Sequence, residues 1–319
     1  MAEISYEKVR IGIALGGWPF PEPEPQLLWN YTERMESLDV DSIWFTDRIV
    51  SPTFTLETVV AMSFIASRTT ELKFGTSVIA LPLRNPTILA KELATIDFLS
   101  GGRCLPAVGL GTEDEIEYEA CGTEKRIRVS RTEEAVHLLR RLWSEDNVTH
   151  KGKHFTLTNV TVQPKPVQKN LPPIWFGGRS EPALRRTAKI GDGWLVSQAT
   201  PEEAGVIVDK ILAAAVKQGR SIDTDHFGTG FGVRFGSWDE EPVKKMVADF
   251  EKRTGKQAAR GRVVGGSDEI LERIQAYVDR GVSKFILRPI GNGDAEMKEQ
   301  TEQIIEELLS KISELQARR

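Results

Sequence analysis

The 319-residue chain is poor in the residues that build covalent or metal-held scaffolds: it has two cysteines, Cys104 and Cys121, and four histidines, at 137, 150, 154 and 226. Neither a C-x-x-C nor an H-E-x-x-H spacing occurs, so a structural disulfide and a protein-built metal site are poor expectations. Net charge is equally scarce. Forty-two Lys and Arg against 46 Asp and Glu leave −4. That balance supplies no basic stripe for a phosphate backbone, and nucleic acid is not an expected partner. The chain also lacks an apolar run approaching 18 residues, and its opening stretch MAEISYEKVR carries charge where a secretory signal would be apolar. These two absences predict a cytoplasmic protein with no membrane span.

What is present is an ordinary globular composition, 40% hydrophobic and 28% charged, in a chain long enough to bury a large core. Eight short apolar runs of strand length recur at 9–15, 42–46, 72–80, 104–109, 173–177, 193–197, 230–235 and 284–288. Segments between them repeat apolar residues every three or four positions. Leu27, Leu28, Tyr31, Met35 and Leu38 follow Pro25; Ile88, Leu89, Leu93 and Ile96 follow Pro86. Thr200-Pro201-Glu202-Glu203 reads as a capping box with proline at the first helical position. Ile304, Ile305, Leu308, Leu309, Ile312 and Leu315 mark a last helix.

Eight βα repeats argue for a TIM barrel over an open doubly wound sheet, although hydrophobic period alone does not say whether the sheet closes. The stretch 144–172 breaks the rhythm and reads as an inserted loop with a small hairpin, within one domain spanning 1–319.

In a barrel the active site forms at the carboxyl ends of the strands. That rule selects Gly16, Gly17 and Trp18, then Asp47 and Arg48, Ser77 to Ala80, Gly111 to Glu115, Gly177 to Ser180, Ser197 and Gln198, and Arg288. Gly177-Gly178-Arg179-Ser180 precedes a helical segment, where backbone N–H groups and an arginine would cradle an anion; the alternative is a glycine turn with positive φ. Asp47 orienting Arg48 is one reading of that pair, and a salt bridge at a strand end is the other. In the acidic run Glu113, Asp114, Glu115, Glu117, Glu119, one carboxylate is expected at the barrel mouth and the rest on a solvated helix face. Trp18, Trp44, Trp175 and Trp194 either wall an aromatic cofactor or pack the barrel.

Taken together, LKFGTSVIALPLRNPTILAKELATIDFLSGGR (72–103), AVGLG, EYEACG, HFTLTNVTVQPKP, PIWFGGRSEPALRRTAKIGDGW and KFILRP resemble the bacterial luciferase-like monooxygenase superfamily over nearly the whole chain. The resemblance implies a TIM barrel that binds FMN or the deazaflavin coenzyme F420. It implies that Ser77-Val78 is the strand-three dipeptide that often forms a non-prolyl cis peptide under the cofactor ring. Gly177 and Gly178 match the glycines passing close to the cofactor, and Ser197 and Gln198 match positions near its phosphate. Ala80, Gly111 and Thr112 complete the expected cofactor-lining set, and Arg179 and Arg288 join it as anion partners by charge and barrel position.

Two departures qualify the likeness. Many relatives carry Asp-His after strand two, where this chain has Asp47-Arg48, and arginine does not exchange a proton at neutral pH. Deazaflavin-dependent sugar dehydrogenases have glutamate directly after the strand-four Gly-x-Gly, where Thr112 stands here with Glu113 one step on. Asp47, Arg48 and Glu113 are therefore the catalytic candidates. The expected activity is hydride transfer between F420 and a small organic substrate. The second reading is a two-component monooxygenase using oxygen and reduced FMN from a separate flavin reductase, and the third a non-catalytic flavin-binding protein. The resemblance also implies a homodimer.

Overall fold

A computed structural model describes residues 9–18, 20, 23–255, 257–291 and 294–317. The charged residues 1–8 and the side chains of Leu309, Ile312 and Leu315 lie outside the described set. The chain runs β1 (Arg10–Gly16), α1 (Pro25–Ser37), β2 (Ser42–Phe45), α2 (Thr58–Arg68), β3 (Lys73–Thr76), β4 (Ile79–Ala80), α3 (Pro86–Ser100), β5 (Cys104–Leu105), β6 (Ala107–Gly109), α4 (Glu115–Ala120) and α5 (Arg128–Ser144). It continues through β7 (Val148–Lys151), β8 (Thr156–Val160), β9 (Trp175–Gly177), α6 (Glu181–Ile190), β10 (Gly193–Ser197), α7 (Pro201–Val216), β11 (Phe227–Phe235), α8 (Glu241–Thr254), β12 (Arg262–Gly265), α9 (Ser267–Val278), β13 (Lys284–Pro289) and α10 (Asp294–Ala317).

All strands except the β7–β8 hairpin pair in parallel. β13, β1, β2, β3 and β5 pair in that order, and β4, β6, β9, β10, β11 and β13 pair in the other direction. β3 runs into β4 through Ser77-Val78, and β5 into β6 through Pro106, which has no N–H for a ladder. Each broken pair is one barrel strand, so eight positions close into a ring, the TIM barrel expected from the repeat. The hairpin lies within the inserted stretch 144–172, as expected. The segment between strands seven and eight holds two helices, α8 and α9, and an extra strand, β12, paired to β11, none of which the period of the sequence had marked.

Local chemistry sets the helix starts. Asn85 accepts N–H bonds from Thr87 and Ile88 ahead of α3, with Pro86 at its first position. Thr200 and Glu203 form the reciprocal capping box of α7. The larger core lies between barrel and helices and includes Ile13, Ile43, Phe74, Leu89, Leu93, Leu139, Ile211, Phe285 and Ile304. A separate cluster of Ala14, Trp44, Ala107, Trp175, Leu195 and Ile286 fills the barrel interior.

Trp44 and Trp175 thus pack the barrel, the second of the two expectations for them. They fit because glycines face them: a Cβ on Gly75 would lie 2.7 Å from the Trp44 ring, and one on Gly193 2.7 Å from the Trp175 ring. Ile88 departs from its expected buried face and is 60% exposed, because Leu89, Leu93 and Ile96 at i, i+4 and i+7 define the stripe and Ile88 lies off it.

Candidate active site

The carboxyl ends of β2, β4, β6 and β9 open into one cleft of about 560 Å³. Its walls come from Thr46–Arg48 after β2, the Ser77–Val78 break, Gly109–Glu113 after β6, and Gly177–Gly178 after β9, with Glu117 of α4, Arg128 of α5 and Arg186 of α6. Asp47, Arg48, Ser77, Val78, Ala80, Gly111, Thr112, Glu113, Gly177 and Gly178 are thereby brought together. Ser197, Gln198, Arg179 and Arg288 do not line it.

The Ser77–Val78 peptide is cis, as the resemblance implied. Val78 leans across the adjoining strands: a Cβ on Gly109 would lie 2.6 Å from Val78 Cγ2, and one on Gly177 3.5 Å from Val78 Cγ1. Bare backbone on two neighbouring strands therefore makes room for this one side chain. Gly178 has φ +112°, and a Cβ there would lie 2.9 Å from Ala183 Cβ.

Asp47 and Arg48 do not pair with each other. The buried Asp47 carboxylate accepts from Ala80 N at 2.9 Å and from Arg84 Nη2 at 2.6 Å. The same Arg84 nitrogen donates to Glu57 at 2.7 Å, tying the β2 end to the start of α2. The reading in which Asp47 orients Arg48 is replaced by one in which Arg84 holds Asp47.

Arg48 instead donates through Nε to Glu117 Oε1 at 3.3 Å and through Nη2 to the Val50 carbonyl at 2.9 Å. Glu117, with its side chain 1% exposed, also accepts from Ile49 N at 2.9 Å and Val50 N at 3.2 Å, and from the Thr112 hydroxyl at 3.1 Å. Burial pushes this carboxyl up, but the two amides, Arg48 and Thr112 together more than offset it and hold Glu117 below the ordinary carboxylate range. The acidic run thus sends one carboxylate deep into the cleft, as expected, and it is Glu117. Glu113 stands at the rim with its side chain 75% exposed, paired to Arg128 at 2.7 Å; that bond, with Lys125 nearby, holds its carboxyl below the usual range.

The residues that do not line this cleft sit at or after the ends of β9 and β10 and on β13. Arg179 Nη1 donates to the Gln198 carbonyl at 3.0 Å, Ser197 is exposed, and Gln198 has φ +61° beside Gly261. Arg288 leans over β1, where a Cβ on Gly16 would lie 3.6 Å from its Nε. Its surroundings push its guanidinium pKa down by burial. Sequence reasoning missed Arg84, Arg128 and Arg186. A charged residue on a helix's buried stripe was the available signal for Arg186, which stands one turn after Ala183 and beside Thr187.

The family model described as luciferase-like monooxygenase matches residues 13–241. The chain is 25% identical over 304 residues to an F420-dependent glucose-6-phosphate dehydrogenase of Kineococcus radiotolerans, covering 84% of this chain and 88% of that protein. It is 26% identical, over 84% and 90%, to the protein of the same description in Amycolatopsis mediterranei. In structure it resembles an F420-dependent secondary alcohol dehydrogenase with TM-score 0.78 and 19% identity over 94% of this chain and 98% of that one. It also resembles a monooxygenase of Streptomyces bottropensis with TM-score 0.79 and 19% identity over 95% and 99%.

Proposed function

The chain belongs to the luciferase-like monooxygenase family, and on that footing we propose that it is an oxidoreductase moving a hydride between the deazaflavin coenzyme F420 and a small organic substrate. One observation carries the reading: Asp47, Arg48, Ser77, Val78, Gly177 and Gly178 line one cleft of about 560 Å³ at the carboxyl ends of the strands, in which Val78, seated over Gly109 and Gly177, gives a flat ring system an apolar surface to lie against. The F420-dependent relatives, matched over most of this chain, favour the deazaflavin over FMN.

When bound, the deazaflavin supplies the hydride chemistry. The protein's own groups orient and hold. Gly177, Gly178 and the start of α6 offer N–H groups to an anionic part of the cofactor. Arg48 has Nε and Nη2 committed to Glu117 and Val50, which fixes the guanidinium plane and aims the remaining Nη1 at a substrate carbonyl, carboxylate or phosphate.

The three carboxylates lining the cleft, Asp47, Glu113 and Glu117, are each paired to an arginine. A substrate alcohol would find no unpaired carboxylate to take its proton. This favours the reductive direction, with a carbonyl or activated double bond as hydride acceptor and solvent as proton source.

The same pairing keeps the second reading in view, an FMN-dependent monooxygenase served by a separate flavin reductase, because that activity asks less of a protein base. Titrating the purified protein with F420 and with FMN against its tryptophan fluorescence separates them. Binding of F420 with indifference to FMN supports the first. Oxygen consumption that requires reduced FMN and a substrate would replace it with the second.

A homodimer completes the proposal. Val60 of α2 and Ile88 and Leu99 of α3 are 68%, 60% and 72% exposed on neighbouring helices, an apolar face that a second copy would cover. Among the described residues no helix is long and apolar enough to cross a membrane.

A further inference from the structure

Arg186 is 5% exposed and lines the cleft, yet among the described residues it has no hydrogen bond and no ion pair, and its Nε is buried without a partner. Side chains on a helix lean toward its N-terminus, so Arg186, on the second turn of α6, runs back along Ala183 toward Gly178 and Ser180, all four lining the same cleft. Its Cζ lies 5.8 Å from the centre of the Phe176 ring.

Burial pushes its guanidinium pKa down, and the positive charge of Arg128 pushes it further; Glu133 opposes this from beyond ion-pair distance. A buried cation beside a second cation, facing a helix N-terminus, is an arrangement that only an anion completes.

We propose that Arg186 is the phosphate anchor of the cleft: its guanidinium, beside Arg128 and the first amides of α6, takes the phosphate group of the bound cofactor and makes the site select phosphorylated over dephosphorylated ligands. This rests on the reading that the cleft holds a flavin-type cofactor. A phosphorylated substrate would present the same chemistry, so the test includes both.

Dissociation constants are measured for F420 and its dephosphorylated deazariboflavin parent, FMN and riboflavin, and glucose 6-phosphate and glucose, on the wild type, Arg186→Met and Arg186→Lys. The wild type should bind the phosphorylated cofactor roughly tenfold to a hundredfold more tightly than its dephosphorylated form, the worth of one charge-assisted contact. Arg186→Met should collapse that ratio to about unity, and Arg186→Lys should restore part of it. The ligand-free Arg186→Met protein should melt no lower than the wild type, since an uncompensated buried cation is gone, and inorganic phosphate should raise the melting temperature of the wild type alone. Arg186→Gln replaces the Met variant if the latter does not fold.

A folded neutral variant that keeps the full ratio overturns the proposal, as does a lowered melting temperature with the ratio intact, the mark of a structural brace. If glucose 6-phosphate alone loses affinity, the anchor serves substrate and the cofactor assignment is overturned. If no cofactor binds the wild type, the functional reading fails separately. The inorganic phosphate arm then decides Arg186 by itself: stabilisation lost on substitution supports the anchor, and stabilisation absent or unchanged overturns it.

Discussion

Replacing Glu117 with glutamine tests whether a buried negative charge organises the β2 end of the cleft. Oε1 accepts from Ile49 N, Val50 N and Arg48 Nε, and Oε2 from the Thr112 hydroxyl. A glutamine whose oxygen takes the Oε1 position keeps three acceptor contacts, and its NH2 can donate to the Thr112 oxygen. The count of hydrogen bonds survives and the charge does not. The two amide bonds at Oε1 then fall from charge-assisted to neutral, a loss of about 1 kcal/mol apiece, while Arg48 keeps a hydrogen bond and loses its counter-charge, so that with partial non-additivity Glu117→Gln should cost about 2–3 kcal/mol. Glu117→Ala, which strands two amides and Arg48, should cost about 3–5 kcal/mol.

The pH dependence follows from the sign of the shift. Glu117 lies below its ordinary value in the folded protein, so its stabilisation is fully present above the unfolded carboxylate pKa, about 4.3, and is lost as pH falls through the folded value. Urea midpoints of wild type and Glu117→Gln at pH 7, 5 and 3.5 should therefore show a full gap at the first two and a narrowed one at the third. A gap below about 1 kcal/mol at pH 7, or one that does not narrow in acid, refutes the reasoning.

Three further substitutions probe the rest of the site. Arg48→Lys can keep the Glu117 contact or the Val50 contact but not both, and should lower kcat/KM by roughly tenfold to a hundredfold, worth about 1.5–3 kcal/mol, while melting close to wild type; a stability loss with activity per folded molecule untouched would retire its substrate role. Gly178→Asp should abolish cofactor binding by fluorescence titration. Because φ there is +112° and a Cβ meets Ala183, it should also lose about 1–2 kcal/mol of stability, a cost that Gly178→Ala should share with its affinity largely kept. Leu99→Glu, placing charge on the exposed α2–α3 face, should give a monomer mass in light scattering where the wild type gives a dimer; a wild-type monomer at micromolar concentration counts against the dimer.

The eight barrel strands, their order and the helix caps were legible in the sequence alone, whereas α8, α9 and β12 were not. Strand runs such as Ile11–Leu15 and Phe285–Leu287 are buried on both faces and read as continuous apolar stretches, and caps such as Asn85-Pro86 and Thr200-Glu203 act within four residues of themselves. Local signals of that kind survive without a fold around them. The cis break at Ser77-Val78 was legible only through likeness to relatives. Partnership inside the cleft was not legible at all: Asp47 pairs with Arg84, 37 residues on, and Arg48 with Glu117, 69 residues on, because barrel closure, and no spacing in the chain, brings those strand ends together. Arg186 shows the same limit from the other side. Its charge is plain in the sequence, but that it is buried without a carboxylate, and so waits on a ligand, is decided by how α6 packs against β9 and α5.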